Sequence, residues 1–212
     1  MTIHHHPDDA MLMAYATGNL AEAFHLIVAA HSSLCDTCRI TIESFDALGG
    51  GLLDDCDPVG MNADSLDRVL ANLDTVLPTQ PVRSIQTALP APIVSYVGGD
   101  LDAVKWRPIG MGIKQAILPT SKTAQARLLY IPSGTAVPDH SHKGQECTLV
   151  LQGSFEDEGG KFSRGDMEQA DANVTHTPIA GMDGDCICLA VTDAPLRFKG
   201  WLPKLVQRFA SI

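Results

Sequence analysis

GTAVPDHSHKGQECTLVLQG, residues 134–153, is the stretch on which the fold turns. It places His140, His142 and Glu146, three metal-competent side chains, within seven positions. On a strand the period of two puts both imidazoles on one face. Lys143, Gly144 and Gln145 then give a turn, and Glu146 opens the next strand with its carboxylate aimed at the same point. Two imidazoles and one carboxylate form an open-sided metal set. The bland alternative is two surface histidines beside a chance Glu. The glycines at both ends argue against it, because frame and ligands agree together.

That frame is Gly134, five residues, His140-x-His142, three residues, Glu146, six residues, Gly153, and it resembles the first cupin motif throughout. The second cupin motif is matched by Gly165-Asp166 and then His176. Ser163-Arg164 stands where that motif has a proline before its glycine, and its closing Asn is missing. The resemblance implies a small β-barrel with His140, His142, Glu146 and His176 converging on one metal.

The totals bound the rest. A chain of 212 residues, 45% hydrophobic and 19% charged, has material for one large domain or two small ones and is not globally disordered. A net charge of −10 argues against nucleic acid as a direct partner, since phosphate binding needs clustered Lys and Arg. It would instead steer a basic protein partner. No apolar run approaches the ~20 residues of a membrane span, and the polar start MTIHHHPDD does not read as a signal segment. The expectation is a cytoplasmic protein without membrane contact, its six cysteines being thiols or metal ligands.

Residues 7–77 read as helical. Pro7 suits a helix start, with Asp8 and Asp9 in the first turn. Met11, Leu12, Tyr15 and Ala16 make an apolar stripe that Gly18 ends. A second helix over residues 20–30 carries Leu20, Phe24, Ile27 and Val28 on one side. A third runs from about residue 35 to residue 48 and stops at Gly49-Gly50-Gly51. A fourth, residues 65–77, has Leu66, Val69, Leu70, Leu73 and Leu77 at helical spacing. These leucines read as core first and as partner anchors second.

Within this region His31-x3-Cys35-x2-Cys38 offers three ligands within two helical turns, a set suited to the closed tetrahedron of structural zinc. The fourth ligand comes from elsewhere. His6 is the choice, with His4, His5 and His25 as competitors. Two buried thiols, or a redox CxxC pair, are the alternatives; no βαβ pattern surrounds the pair to support the redox reading.

His6 followed by His31-x3-Cys35-x2-Cys38 in a short helical domain is similar to the zinc-binding anti-sigma domain. Joined to a C-terminal cupin, the whole chain resembles the ChrR family of anti-sigma factors. The fold this implies is α+β and multidomain, a small N-terminal zinc-stapled helical bundle followed by a C-terminal cupin β-barrel. The boundaries expected are 1–77 for the helical domain, 78–95 for a proline-spaced linker and 96–212 for the cupin. The family further implies that the helical domain binds an extracytoplasmic-function sigma factor and blocks its use by RNA polymerase. The cupin then serves as sensor in release under singlet-oxygen type stress. His6, His31, Cys35 and Cys38 would hold one zinc. His140, His142, Glu146 and His176 would hold a second metal, zinc ahead of iron, manganese or nickel. A different class of reading is a metal-dependent cupin enzyme, a dioxygenase or isomerase. It leaves the N-terminal zinc motif unexplained, and Arg127 is the sole candidate for a substrate-binding arginine near the ligands.

After residue 96 the texture becomes β. Runs at 106–109, 112–118, 126–131, 146–152, 155–158, 166–170 and 185–191 are short and broken by Gly, Pro and polar turns. Residues 202–209 suit a closing amphipathic helix. On these strands Cys147 points away from the metal, and Cys186 and Cys188 share one face. Small buried core residues are the first reading for all three, and redox sensing the second.

Overall fold

The computed structural model describes residues 2–73, 87–138, 140–141, 143–171, 175–194 and 197–198; for residues 140, 141, 175, 197 and 198 it describes the backbone alone. Five helices come first: α1 (Asp9–Ala16), α2 (Glu22–Ser32), α3 (Asp36–Asp54), α4 (Ser65–Leu73) and α5 (Ala91–Val97). The strands are β1 (Arg107–Gly110), β2 (Ile113–Ile117), β3 (Gln125–Ile131), β4 (His140–Ser141), β5 (Glu146–Gln152) and β6 (Ser154–Asp157). They continue as β7 (Gly160–Ser163), β8 (Met167–Ala170), β9 (Thr175–His176), β10 (Ile179–Ala180), β11 (Cys186–Thr192) and β12 (Arg197–Phe198). The architecture is α+β, helices first and a cupin-like set of antiparallel sheets after them.

Local chemistry explains the helix ends, with one departure from expectation. Asp8 caps α1 by accepting the Met11 amide at 2.8 Å, so the helix begins one residue beyond the Asp8-Asp9 pair's first member. The third helix does not stop at Gly49-Gly50-Gly51; α3 runs through all three to Asp54. Glycine costs about 1 kcal/mol against Ala in a helix interior, which weakens a helix without ending it. The stop falls instead before Asp57-Pro58. The expected linker is outside the description as far as residue 86. From Thr87 onward the chain is folded: Leu89 is buried and α5 buries Ile93. The expected C-terminal helix at 202–209 lies outside the described residues, as do residues 74–77 of the fourth helix.

By contacts the chain divides into two units, residues 1–46 with 87–212, and residues 47–86. The second contains the end of α3 and all of α4, and α4 has no buried residue. In the first, the six-stranded sheet has the order β1-β2-β3-β11-β5-β8, with three-stranded sheets β10-β6-β7 and β12-β4-β9 beside it.

Strand alternation gives the six-stranded sheet two unlike faces. The register rows Leu128–Leu189–Leu149 and Ala126–Val191–Cys147 point one way and pack with the helices, chiefly α2. The next rows, Arg127–Ala190–Thr148 and Gln125–Thr192–Glu146, point the other way. Toward the far end of that second face Val150, Cys188 and Ile131 join Phe155 and Phe162 in a separate apolar cluster. The second face is therefore apolar at one end and polar at the end where Glu146 sits. Cys147 is buried on the helix side and Cys188 on the opposite side, and both thiols are pushed above their usual range, burial leading for Cys147 and the Cys186 hydrogen bond for Cys188.

Two glycines of the cupin frame are required by geometry. Gly153 has φ +69°, and a Cβ there would lie 2.5 Å from the Asp185 carbonyl oxygen. Gly165, at φ +89°, turns the chain so that Asp166 points back at the N-terminal segment. The Asp166 carboxylate accepts the amides of His4 at 2.7 Å, His5 at 3.1 Å and Ser163 at 2.8 Å. The Met167 amide donates to the His5 carbonyl at 3.0 Å, and the Asp8 amide to Gln169 Oε1 at 2.8 Å. Residues 4–8 are thus fastened along β8. On the other side of α2, Glu22 accepts the Tyr96 hydroxyl at 2.8 Å and the Ser121 amide at 2.6 Å.

Burial would raise the Asp166 pKa, but the amides of Ser163, His4 and His5 outweigh it and hold the carboxyl below its usual value. A depressed carboxyl contributes stability that is present above the ordinary aspartate pKa of ~3.9 and is lost as pH falls through the lowered value. Asp166→Ala should cost roughly 1–3 kcal/mol in denaturant unfolding, through unsatisfied amides, and should abolish slow hydrogen exchange at His4 and His5. Unchanged exchange at both amides would contradict this fastening.

Candidate metal centres

The first centre is assembled from two helix ends and the N-terminal segment. His31 occupies the last turn of α2, and the Cys35 amide donates to the His31 carbonyl at 2.9 Å, so the chain reverses within one turn. Cys38 falls in the first turn of α3. Both cysteines therefore sit at the start of α3, Cys35 just before it and Cys38 in its first turn. His6 is delivered by the segment that Asp166 fastens.

His6 Nδ1 lies 3.4 Å from Cys35 Sγ and 3.4 Å from Cys38 Sγ, and His31 Nε2 lies 3.3 Å from Cys38 Sγ. The four ligand atoms are all within 4.8 Å of one another. Tetrahedral zinc with bonds of about 2.0–2.3 Å sets its ligands roughly 3.3–3.8 Å apart, so the donor set and its spacing fit such an ion. His4 and His5 contribute backbone amides to Asp166, and the His25 ring lies 4.3 Å from that of Tyr15; among the described residues His6 alone of these candidates joins the cluster.

Burial disfavours charge on both His31 and Cys38. Burial, then the neighbouring His6, pushes the His31 pKa down to about 4, which keeps the ring neutral and competent as a ligand. Burial, then Cys35, pushes the Cys38 thiol up to about 12. Two thiolates, two neutral imidazoles and a divalent ion make a set of zero net charge, which suits a buried site.

The second centre is described in part. β4 pairs with β9 so that His140 stands opposite His176 in the register, while the side chain of His140 and all of His142 lie outside the described residues. Glu146 is buried at the start of β5, on the polar face of the sheet, and acts electrostatically on His176. His176 is also buried. Its Nδ1 is 2.7 Å from Asp157 Oδ2 and 3.0 Å from Glu168 Oε1. Burial alone would depress the His176 pKa; the Glu168 and Asp157 carboxylates overcome it and lift it to about 9. Asp157, Glu168 and His176 form a second group with metal-competent atoms within 4.8 Å.

Asp157 and Glu168 were not among the residues expected from the sequence. Glu168 is two positions after Asp166 and opposite Thr148, so strand alternation puts it on the Glu146 face. Asp157 sits in the run Glu156-Asp157-Glu158, which carries no sign that its middle member turns inward. A cleft of about 440 Å³ has His6 on its lining together with Glu168 and His176, so both centres border one space.

The Cys38 thiol, pushed up to about 12, is protonated before metal enters. Zinc binding to chelator-treated protein should therefore release at least about one proton per cluster. Calorimetry in buffers of different ionisation enthalpy, native chain against the Cys35→Ser, Cys38→Ser double variant, measures that difference; release near zero would contradict the assignment.

Residues 95–195 match the family described as the ChrR Cupin-like domain. The chain is 54% identical over 213 aligned residues, all of both chains, to a protein named "Anti-sigma-E factor ChrR" from Cereibacter sphaeroides. It also matches a solved structure, Rhodobacter sphaeroides SigE in complex with the anti-sigma ChrR, with a TM-score of 0.81 at 51% identity, over 90% of this chain and 99% of that one. Full-length identity at this level shows that the chain belongs to the ChrR family of anti-sigma factors.

Proposed function

We propose that this chain is a cytoplasmic anti-sigma factor that binds an extracytoplasmic-function sigma factor and keeps it from RNA polymerase, acting as a regulator and not as an enzyme. The observation that carries this is the full-length kinship to an anti-sigma factor; a metal-competent His-Cys cluster supports it, and so, separately, does α4, which leaves apolar residues exposed. Leu66, Val69, Leu70 and Leu73 repeat at helical spacing on α4 and are each more than half exposed, at 66%, 61%, 51% and 60%. They were expected as core first; their exposure favours the partner-anchor reading. Each such side chain gains roughly 1.5–3 kcal/mol when buried, so a groove on the partner has ample reason to take the stripe. The acidic balance of the chain suits a basic partner. No helix among the described residues is long and apolar enough to cross a membrane.

In this reading residues 1–77 are the sigma-binding part, 78–95 the linker and 96–212 the sensor. Zinc held by His6, His31, Cys35 and Cys38 fastens the α2–α3 turn to the N-terminal segment. A second metal, zinc ahead of iron, manganese or nickel, is held by His140, His142, Glu146 and His176. There Asp157 and Glu168 engage the Nδ1 side of His176 and fix its ring, as carboxylates behind ligating histidines generally do. An oxidative signal of the singlet-oxygen type acts at this cupin site. The route from it is short: Glu168 is on β8, and Asp166 and Met167 at the same strand's start hold His4 and His5 next to the cage ligand His6. Disturbing His176 moves β8, and β8 holds the cage.

Cys35→Ser or Cys38→Ser should weaken binding of the cognate purified sigma factor by at least about a hundredfold, roughly 3 kcal/mol. Glu146→Ala and His140→Ala should bind sigma as the native chain does but release it poorly after photosensitised singlet oxygen. Normal sigma binding by the cysteine variants would overturn the clamp, and full release from the cupin variants would overturn the sensor.

A further inference from the structure

The polar face of the six-stranded sheet carries a buried charge that neither metal centre uses. Arg127, on β3, is 4% exposed. Its guanidinium donates to Gln115 Oε1 at 3.4 Å and to Gln125 Oε1, both neutral amides. No carboxylate closes an ion pair with it among the described residues. Glu146, on the same face, acts on it only through space, opposing the burial that pushes its pKa down. A guanidinium has five N–H donors in a planar fork. Burying that charge without a counter-ion is costly unless something offsets it.

Arg127 borders a solvent-accessible cavity of about 620 Å³, within the range of small-molecule sites. Its walls mix apolar groups such as Ile117 with the hydroxyls of Thr123 and Thr192; Lys122 adds a second cation, and Asp193 also lines it, its Oδ1 accepting the Gln145 amide at 2.9 Å. We infer that this cavity binds a small organic carboxylate, gripped by the Arg127 fork with its apolar part against Ile117. A carboxylate suits the planar fork in two parallel hydrogen bonds, and the mixed walls suit a short carbon chain more than a bare inorganic anion. The cavity wall includes Ser121, whose amide is held by Glu22 of α2, the helix that ends at His31. Resting on the regulatory reading above, the bound carboxylate would be a second input to the clamp.

Binding itself is testable without sigma, so failure here leaves that reading untouched. The Arg127 side-chain Nε–H resonance of the full-length, zinc-loaded protein, assigned by its loss in Arg127→Lys, is followed while sodium acetate or sodium phosphate is titrated at constant ionic strength. Acetate should shift it saturably with a Kd of about 1 mM, as a four-atom ligand of high efficiency allows. Phosphate should give no saturable shift. By calorimetry Arg127→Lys should weaken acetate about tenfold or more, and Lys122→Met by less than about threefold. The absence of a saturable acetate shift, a preference for phosphate, or equal acetate affinity in Arg127→Lys would each overturn the proposal. Should Arg127→Lys fail to fold, the resonance is assigned through bonds and the native titration alone decides.

Discussion

The carboxylate of Asp166 is the interaction on which the rest of the structure depends. It is buried and anionic, and three backbone amides hold its charge: one from its own turn and two from residues more than 160 positions away. A charge-assisted bond to amides is about twice as strong as a neutral one. Placed at the start of β8 it therefore fastens the beginning of the chain to the cupin-like sheet. His6 can meet His31, Cys35 and Cys38 only because of that fastening. The same strand carries Glu168, which engages His176. The segment 166–168 thus links the His-Cys cluster to the group around His176.

The helices show a complementary division. α2 is buried on most sides because it packs on β11, β5, β3 and α5. α4 is amphipathic but buries nothing of its own. An apolar stripe kept in water is costly to a monomer and gives a binding protein its recognition surface. The three glycines within α3 lie between exposed Leu48 on one side and exposed Leu52 and Leu53 on the other. There the helix is intrinsically weak, which suits a segment that must adapt to a partner.

Much of this was legible in the sequence, for physical reasons. The His31-x3-Cys35-x2-Cys38 spacing works because a helix end, a tight turn and a helix start bring i, i+4 and i+7 to one point. Likewise β5 matched its expected span of 146–152, because a run of apolar residues bounded by Glu146 and Gly153 has one plausible strand. Other features were not legible. The three glycines suggested a stop, yet flanking helical residues carried α3 past them. Strands as short as β4, β9, β10 and β12 have two residues each, too few to show alternation. The inward turn of Asp157 depends on a hairpin pairing that joins β6 to β7, information that a local acidic run does not contain. Arg127 was noticed in the sequence as a lone candidate, but only the register of β3 against β11 and β5 places it on the Glu146 face.

The most direct test joins the cage to its partner. The full-length chain, stripped of metal and titrated with zinc in the presence of a fluorescently labelled sigma factor, is followed by anisotropy. Complex formation should rise in step with the first equivalent of zinc and should be absent in the chelated protein. Full-affinity binding of the sigma factor to the metal-free chain would contradict a clamp built on His6, His31, Cys35 and Cys38.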